Sequence, residues 1–212
     1  MNIDKNSMCL YAVTDRTWLN GEKLKQQVEK AIEGGATIIQ LREKELKFED
    51  FLKEAIDIKE VCNRFNVPFI VNDDIEIAVK SNADGIHIGQ EDISLIKARK
   101  IAENKIIGVS VQTVEQAVEA EKNGADYLGV GAVFNTSTKL DASIVSIETL
   151  KNICKSVKIP VVAIGGISEK NIMKLKGTGI DGVAVVSAIF SKEDIKNAAQ
   201  NLLKLSKECI KE

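Results

Sequence analysis

A compact closed (β/α)8 barrel is the fold this sequence predicts, and three observations predict it. Eight short apolar, β-branched runs alternate with amphipathic segments from end to end. The runs are nearly continuous in apolar residues, as parallel strands covered on their outer face are. Polar residues gather at their carboxyl ends, where barrels of this type carry their chemistry. The 212 residues leave about 26 for each unit, which suits one catalytic domain over residues 1–212. A doubly wound open sheet is the alternative, but it does not readily use eight strands in so short a chain.

The strands are read at Leu10–Thr14, Thr37–Leu41, Phe69–Val71, Gly85–Ile88, Ile106–Val109, Tyr127–Val130, Val161–Ile164 and Gly182–Val186. After the first, Leu24, Val28, Ala31 and Ile32 fall on one helical face. After the second, Phe48, Phe51, Leu52, Ala55, Ile58 and Cys62 do the same. Thr113 and Gln116 have capping-box spacing, and Ser168 and Ser191 are placed as N-caps. Gly34, Gly124 and Gly179 close helices just before strands. Ala83-Asp84-Gly85, Ala125-Asp126-Tyr127 and Ile180-Asp181-Gly182 lead into strands in a similar way, without even spacing. With only two prolines and no Ser/Gly-rich stretch, no linker is evident; the one long connection runs from about Gly131 to Ser146.

Composition narrows the function. Hydrophobic residues make up 44% and charged residues 28%, which are globular proportions. The 29 basic and 31 acidic residues give a formal charge of −2, without the basic excess of a nucleic-acid binder. No apolar run approaches a membrane span, and Met1–Asn6 is polar, without a signal core. Cys9, Cys62, Cys154 and Cys209 lie far apart and read as buried thiols of a cytoplasmic protein. The single histidine, His87, makes a Ser-His-Asp triad improbable.

Four strand ends carry candidate chemistry. The second ends Gln40-Leu41-Arg42-Glu43-Lys44, and alternation puts Gln40, Arg42 and Lys44 on one face. The third ends Asn72-Asp73-Asp74 and the fourth Gly89-Gln90-Glu91-Asp92. Either acidic end alone reads as a helix N-cap. Together, beside an arginine and a lysine, they point to a site for Mg2+ and phosphate. Gly165-Gly166-Ile167-Ser168 and Ser187-Ala188-Ile189 follow strands seven and eight, whose loops commonly hold a phosphate. The loop Phe134–Asp141 is rich in hydroxyls and contains Lys139. It reads as a lid, as a plain surface loop, or with Lys139 as a Schiff-base lysine. His87 sits inside strand four and suits a packed barrel histidine as well as a catalytic one; Trp18 and the cysteines read as packing.

Taken together the motifs resemble the thiamine phosphate synthase family, over about Leu10 to Phe190. The carriers are Leu10-Tyr11-Ala12-Val13-Thr14-Asp15, Gln40–Lys44, Asn72-Asp73, Ala83–Asp92 and Gly108-Val109-Ser110. They continue through Gly124–Tyr127, Gly129–Gly131, Thr136–Lys139, Val162–Ile167 and Gly182–Ser187. The resemblance implies a TIM barrel that joins 4-amino-2-methyl-5-(diphosphooxymethyl)pyrimidine to a methyl-(phosphooxyethyl)thiazole or its carboxylate. Thiamine phosphate and pyrophosphate would be the products. It implies Mg2+ on Asp73 and Asp92, and pyrophosphate contacts from Arg42, Lys44, Asn72 and Lys139. Gln40 and Ser110 would meet the pyrimidine; Thr136, Thr138, Gly166, Val186 and Ser187 would hold the thiazole phosphate. Catalytic roles fall to Arg42, Lys44, Lys139 and Ser110. Small-molecule partners alone are implied, with neither nucleic acid nor membrane; a homo-oligomer is compatible with this, and the sequence sets no oligomeric state.

The chain departs from the family pattern at Asp74, Asn135, Ser137 and Val111-Gln112. Two other activities would leave different residues at these positions. A thiazole tautomerase would place a histidine after strand five, where Ser110-Val111-Gln112-Thr113 has none. A precursor-binding barrel without turnover would not need both Lys139 and Asp92.

Overall fold

The computed structural model describes residues 5–136 and 143–211. Eight parallel strands close into a barrel in chain order, with the eighth pairing back to the first. The elements are β1 (Leu10–Val13), α1 (Leu24–Glu33), β2 (Ile38–Leu41), α2 (Phe48–Phe65), β3 (Phe69–Asn72), α3 (Ile75–Lys80), β4 (Gly85–Ile88) and α4 (Leu95–Ile101). They continue with β5 (Ile106–Val111), α5 (Val114–Lys122), β6 (Tyr127–Val130), α6 (Ile147–Ser156), β7 (Val161–Ile164), β8 (Gly182–Val185), α7 (Ser187–Phe190) and α8 (Ile195–Ile210). Among the described residues no helix is long and apolar enough to cross a membrane.

Alternation along the strands makes two cores. Outward residues such as Leu10, Ile39, Leu41, Val71, Ile86 and Leu128 pack under the helices. Inward ones, including Tyr11, Ile38, Ile70, Ile106, Tyr127 and Val162, fill the barrel. The inner positions of β5 and β6 also carry Gly108 and Gly129. A Cβ on Gly108 would run into the Tyr127 ring, and one on Gly129 would lie 3.1 Å from the His87 ring. These glycines make room for two large side chains inside the barrel.

The lower rim explains the three similar strand approaches. Asp84, Asp126 and Asp181 stand just before β4, β6 and β8. Each accepts the backbone N–H at or near the start of the preceding strand: Phe69 at 2.8 Å, Ile107 at 2.7 Å and Val161 at 2.9 Å. Thr37 does the same for Leu10 at 2.9 Å. Each aspartate also meets a cation, respectively Lys59, Arg99 and Lys5. The strands are therefore tied in couples by charge-assisted bonds.

Some expected local features differ. The segment after β7 forms only a 3-10 turn, Ile172–Leu175. Ser168 is not a cap there: its N–H is held by the Asn171 side chain, and its carbonyl accepts from Asn171 and Ile172. Ser191 ends α7, its hydroxyl donating to Ser187; Asp194 caps α8 instead, accepting from Asn197. Phe48, expected on the buried face, lies at the first residue of α2 and is exposed, with the Lys80 ammonium 4.9 Å from its ring. Thr113 and Gln116 do form a capping box.

Candidate active site

At the upper rim, β2, β3 and β4 deliver one electrostatic cluster. Lys44 donates to Asp73 at 2.5 Å. Asp73 stands at φ +62, a left-handed conformation that aspartate tolerates better than most residues. Its N–H is held by the His87 carbonyl at 2.9 Å. Burial raises the Asp73 carboxyl above the usual carboxylate range; Lys44 opposes the rise and Asp92 reinforces it. Asp73 and Asp92 thus face one another. Asp74, the departure from the family pattern, takes the capping role: it accepts from Ile77 at 2.9 Å at the start of α3. That leaves Asp73 for the mouth. Asp92 is no helix cap either. It accepts from the Gly89 N–H at 2.7 Å, which fixes its own loop.

The loop after β2 is held from beneath by residues that sequence reasoning passed over. Buried Thr14 accepts from the Arg42 N–H at 3.1 Å. Buried Glu43 accepts from the N–H groups of Lys44 and Glu45, at 2.8 and 3.1 Å, with Arg16 3.4 Å away. Glu43 stands in the motif as the one buried charge among cations. The result presents Arg42 half-buried and Lys44 exposed at the mouth. Asn72 ends β3 beside His87 of β4.

Two carboxylates suit a hard divalent cation that keeps several waters and takes further oxygens from a phosphorylated substrate. Among the described residues no third His, Cys, Asp or Glu joins them.

Inside the mouth, Gln40 is buried and its amide N–H donates to Tyr11 at 2.8 Å. The Tyr11 and Tyr127 hydroxyls meet at 2.7 Å, and Tyr127 meets His87 Nδ1 at 3.0 Å. His87 Nε2 meets Ser110 at 2.9 Å. Burial pushes the imidazole down to about 4, although Asp92 pulls it the other way. It pushes both tyrosine hydroxyls up. At ordinary pH these groups are neutral. The two tyrosines are the only ones in the chain and both point inward, a signal that alternation around the barrel could have revealed.

Opposite, the loops after β6, β7 and β8 converge. Gly165 and Gly166 adopt φ +101 and +63. The loop carrying Thr136 lies against them: Val133 N–H donates to Ile164 and Phe134 N–H to Gly165, at 2.9 and 3.1 Å. A Cβ on Gly166 would strike the Asn135 carbonyl. Gly166 is thus needed first for packing of that loop, a reason different from access for an anion. Val186 and Ser187 are half-buried at the start of α7. Thr138, Lys139 and Ser137 lie outside the described residues.

A sequence profile of the thiamine monophosphate synthase family matches residues 10–189. The chain is 53% identical over 201 residues to the thiamine-phosphate synthase of Clostridium tetani, covering 94% of this chain and 96% of that one. It is 52% identical to the enzyme of that name from Clostridium acetobutylicum, covering 94% and 95%. Thiamine phosphate pyrophosphorylase from Pyrococcus furiosus superposes with a TM-score of 0.91 at 40% identity, covering 98% of this chain and 99% of that one.

Proposed function

From the premise that the chain belongs to the thiamine monophosphate synthase family, and is a transferase of thiamine-phosphate synthesis, we propose how its residues divide the reaction. The substrates are the pyrimidine diphosphate and the thiazole phosphate. The observation that carries the reading is the separation of a carboxylate-and-cation cluster at β2–β4 from the opposite rim, where the glycine turn after β7 meets the loop after β6 and the start of α7. One end suits a leaving pyrophosphate, the other a phosphate tail.

In this reading Asp73 and Asp92 hold Mg2+, which supplies charge neutralisation on the pyrophosphate. Arg42, Lys44 and Asn72 contact the same group, and Lys139 belongs with them by its place in the motif. Lys44 already pairs with Asp73, so its ammonium lies where an arriving diphosphate can share it. Gln40 and Ser110 hold the pyrimidine. The bond between the exocyclic carbon and the diphosphate oxygen breaks, and the electron pair leaves with pyrophosphate. The aminopyrimidine ring stabilises the resulting cation. The thiazole nitrogen, held through Thr136, Thr138, Gly166, Val186 and Ser187, supplies the electrons of the new C–N bond. No protein nucleophile takes part, so positioning and leaving-group stabilisation are the protein's share.

The test combines both precursors with the protein, with Mg2+ or with a chelator. Thiamine phosphate and pyrophosphate are expected in equal amounts, only with both precursors and the metal. No product with everything present would overturn the reading. Unchanged turnover in chelator would remove the metal from it.

A further inference from the structure

Five side chains from five strands form one hydrogen-bonded line across the barrel interior: Gln40, Tyr11, Tyr127, His87 and Ser110. No apolar core needs it. Tyr11, Tyr127, Gln40 and His87 are all buried, so a hydrogen left without an acceptor there is destabilising. The space is built for the line, since Gly108 and Gly129 clear the rings of Tyr127 and His87.

The line has a direction. Its first member is an amide N–H of Gln40, which can only donate. Tyr11 accepts there; the 2.7 Å contact with Tyr127 fits either hydroxyl as donor, and donation by Tyr11 is the arrangement that gives its buried hydrogen an acceptor. Tyr127, having accepted, turns its hydrogen to His87 Nδ1. A neutral imidazole that accepts at Nδ1 carries its proton on Nε2, and Nε2 faces Ser110. Ser110 then accepts from His87, and its hydroxyl hydrogen points away from the line.

We propose that this line presets the polarity of the pyrimidine pocket: His87 is a positioning residue, held as the Nε2–H tautomer, that makes Ser110 a hydrogen-bond donor to the ligand. It rests on the reading above in one respect, that Gln40 and Ser110 meet the pyrimidine. At its other end Gln40, having given its amide N–H to Tyr11, has its carbonyl oxygen to offer. A pocket with a donor at Ser110 and an acceptor at Gln40 selects a heteroaromatic ring that bears a ring-nitrogen lone pair and an exocyclic amine.

The chain's single histidine makes the test direct. Protein labelled with 15N-histidine and lacking any polyhistidine tag should show one protonated and one lone-pair ring nitrogen between pH 6 and 8. The protonated one should be Nε2. An Nδ1–H tautomer would mean that the line runs the other way, with the Ser110 hydrogen turned inward; a tautomer mixture or an imidazolium would abolish it. Either outcome overturns the proposal, and neither depends on substrate. Kinetics give a second arm. Tyr127→Phe should raise KM for the pyrimidine diphosphate about tenfold, leave KM for the thiazole phosphate unchanged, and have little further effect in a Ser110→Ala background. An equal penalty in both backgrounds would show that Tyr127 does not act through Ser110. Failure of wild-type turnover would sink the functional reading alone, since the tautomer would still report on the line.

Discussion

At the lower end of the barrel Asp84, Asp126 and Asp181 each have a backbone N–H and a cation within 3 Å. At the upper end Asp73 sits in a left-handed conformation, beside a second carboxylate, with Lys44 as its cation. The residue type is the same and the treatment is opposite. Where the charge is satisfied the aspartate ties strands together. At the upper rim burial and a like charge disfavour the ionised form, and the proposed function gives that pair a cation to hold.

The widest effect expected from breaking this contrast is at the top. Asp73→Asn, which suits the left-handed backbone, should lower kcat/KM by about 10²-fold or more, with partial recovery at high Mg2+ or Mn2+. Its melting temperature should stay level or rise, because the native fold holds that carboxyl at a raised pKa. A lower melting point with full activity would reverse the assignment of the two rims. At the bottom, Asp84→Ala leaves both the Phe69 N–H and the half-buried Lys59 ammonium without their acceptor. About 3 kcal/mol of stability should be lost, with activity per folded molecule within about twofold of the parent. Chemical denaturation and a turnover assay on the same sample measure both.

The smallest effect expected lies between the rims. The His87 pKa is pushed down to about 4 in the fold, below its unfolded value. Its contribution to stability is full above about pH 6.5 and is lost as pH falls toward 4, because the unfolded chain takes up the proton first. Denaturation midpoints measured from pH 7 down to 4.5 should therefore decline, and His87→Gln should flatten that decline. A variant with the parental slope would assign the decline to other groups.

Most of the barrel was legible in the sequence because a strand is a local pattern. Gly85–Ile88, Tyr127–Val130 and Val161–Ile164 stand where the apolar runs put them. The cluster at Lys44, Asp73 and Asp92 was legible too, since alternation and closure bring strand ends to one rim. Cap positions were less so. Composition marks Ser191 and Asp194 equally, and only the turn of α7 decides that Asp194 faces the first free N–H groups of α8. The line from Gln40 to Ser110 was illegible for another reason. Its members come from β1, β2, β4, β5 and β6 and meet only across the closed interior. The similar approaches at Asp84, Asp126 and Asp181 were visible, but their acceptor role depends on a neighbouring strand.

Those approaches also give the barrel a parity. Thr37, Asp84, Asp126 and Asp181 group β1 with β2, β3 with β4, β5 with β6, and β7 with β8. A chain grown by one unit would leave a strand start without its acceptor, whereas one grown by a couple would not. The same parity ranks the sites where new termini could be opened. Asn82 and Asn104 are both exposed turns. A break at Asn82 separates β3 from the aspartate that holds it; a break at Asn104 falls between couples and leaves every such bond within a contiguous segment. Circular permutation should accordingly be tolerated better at Asn104, and the barrel is in that sense assembled from four halves-of-halves rather than eight equal staves.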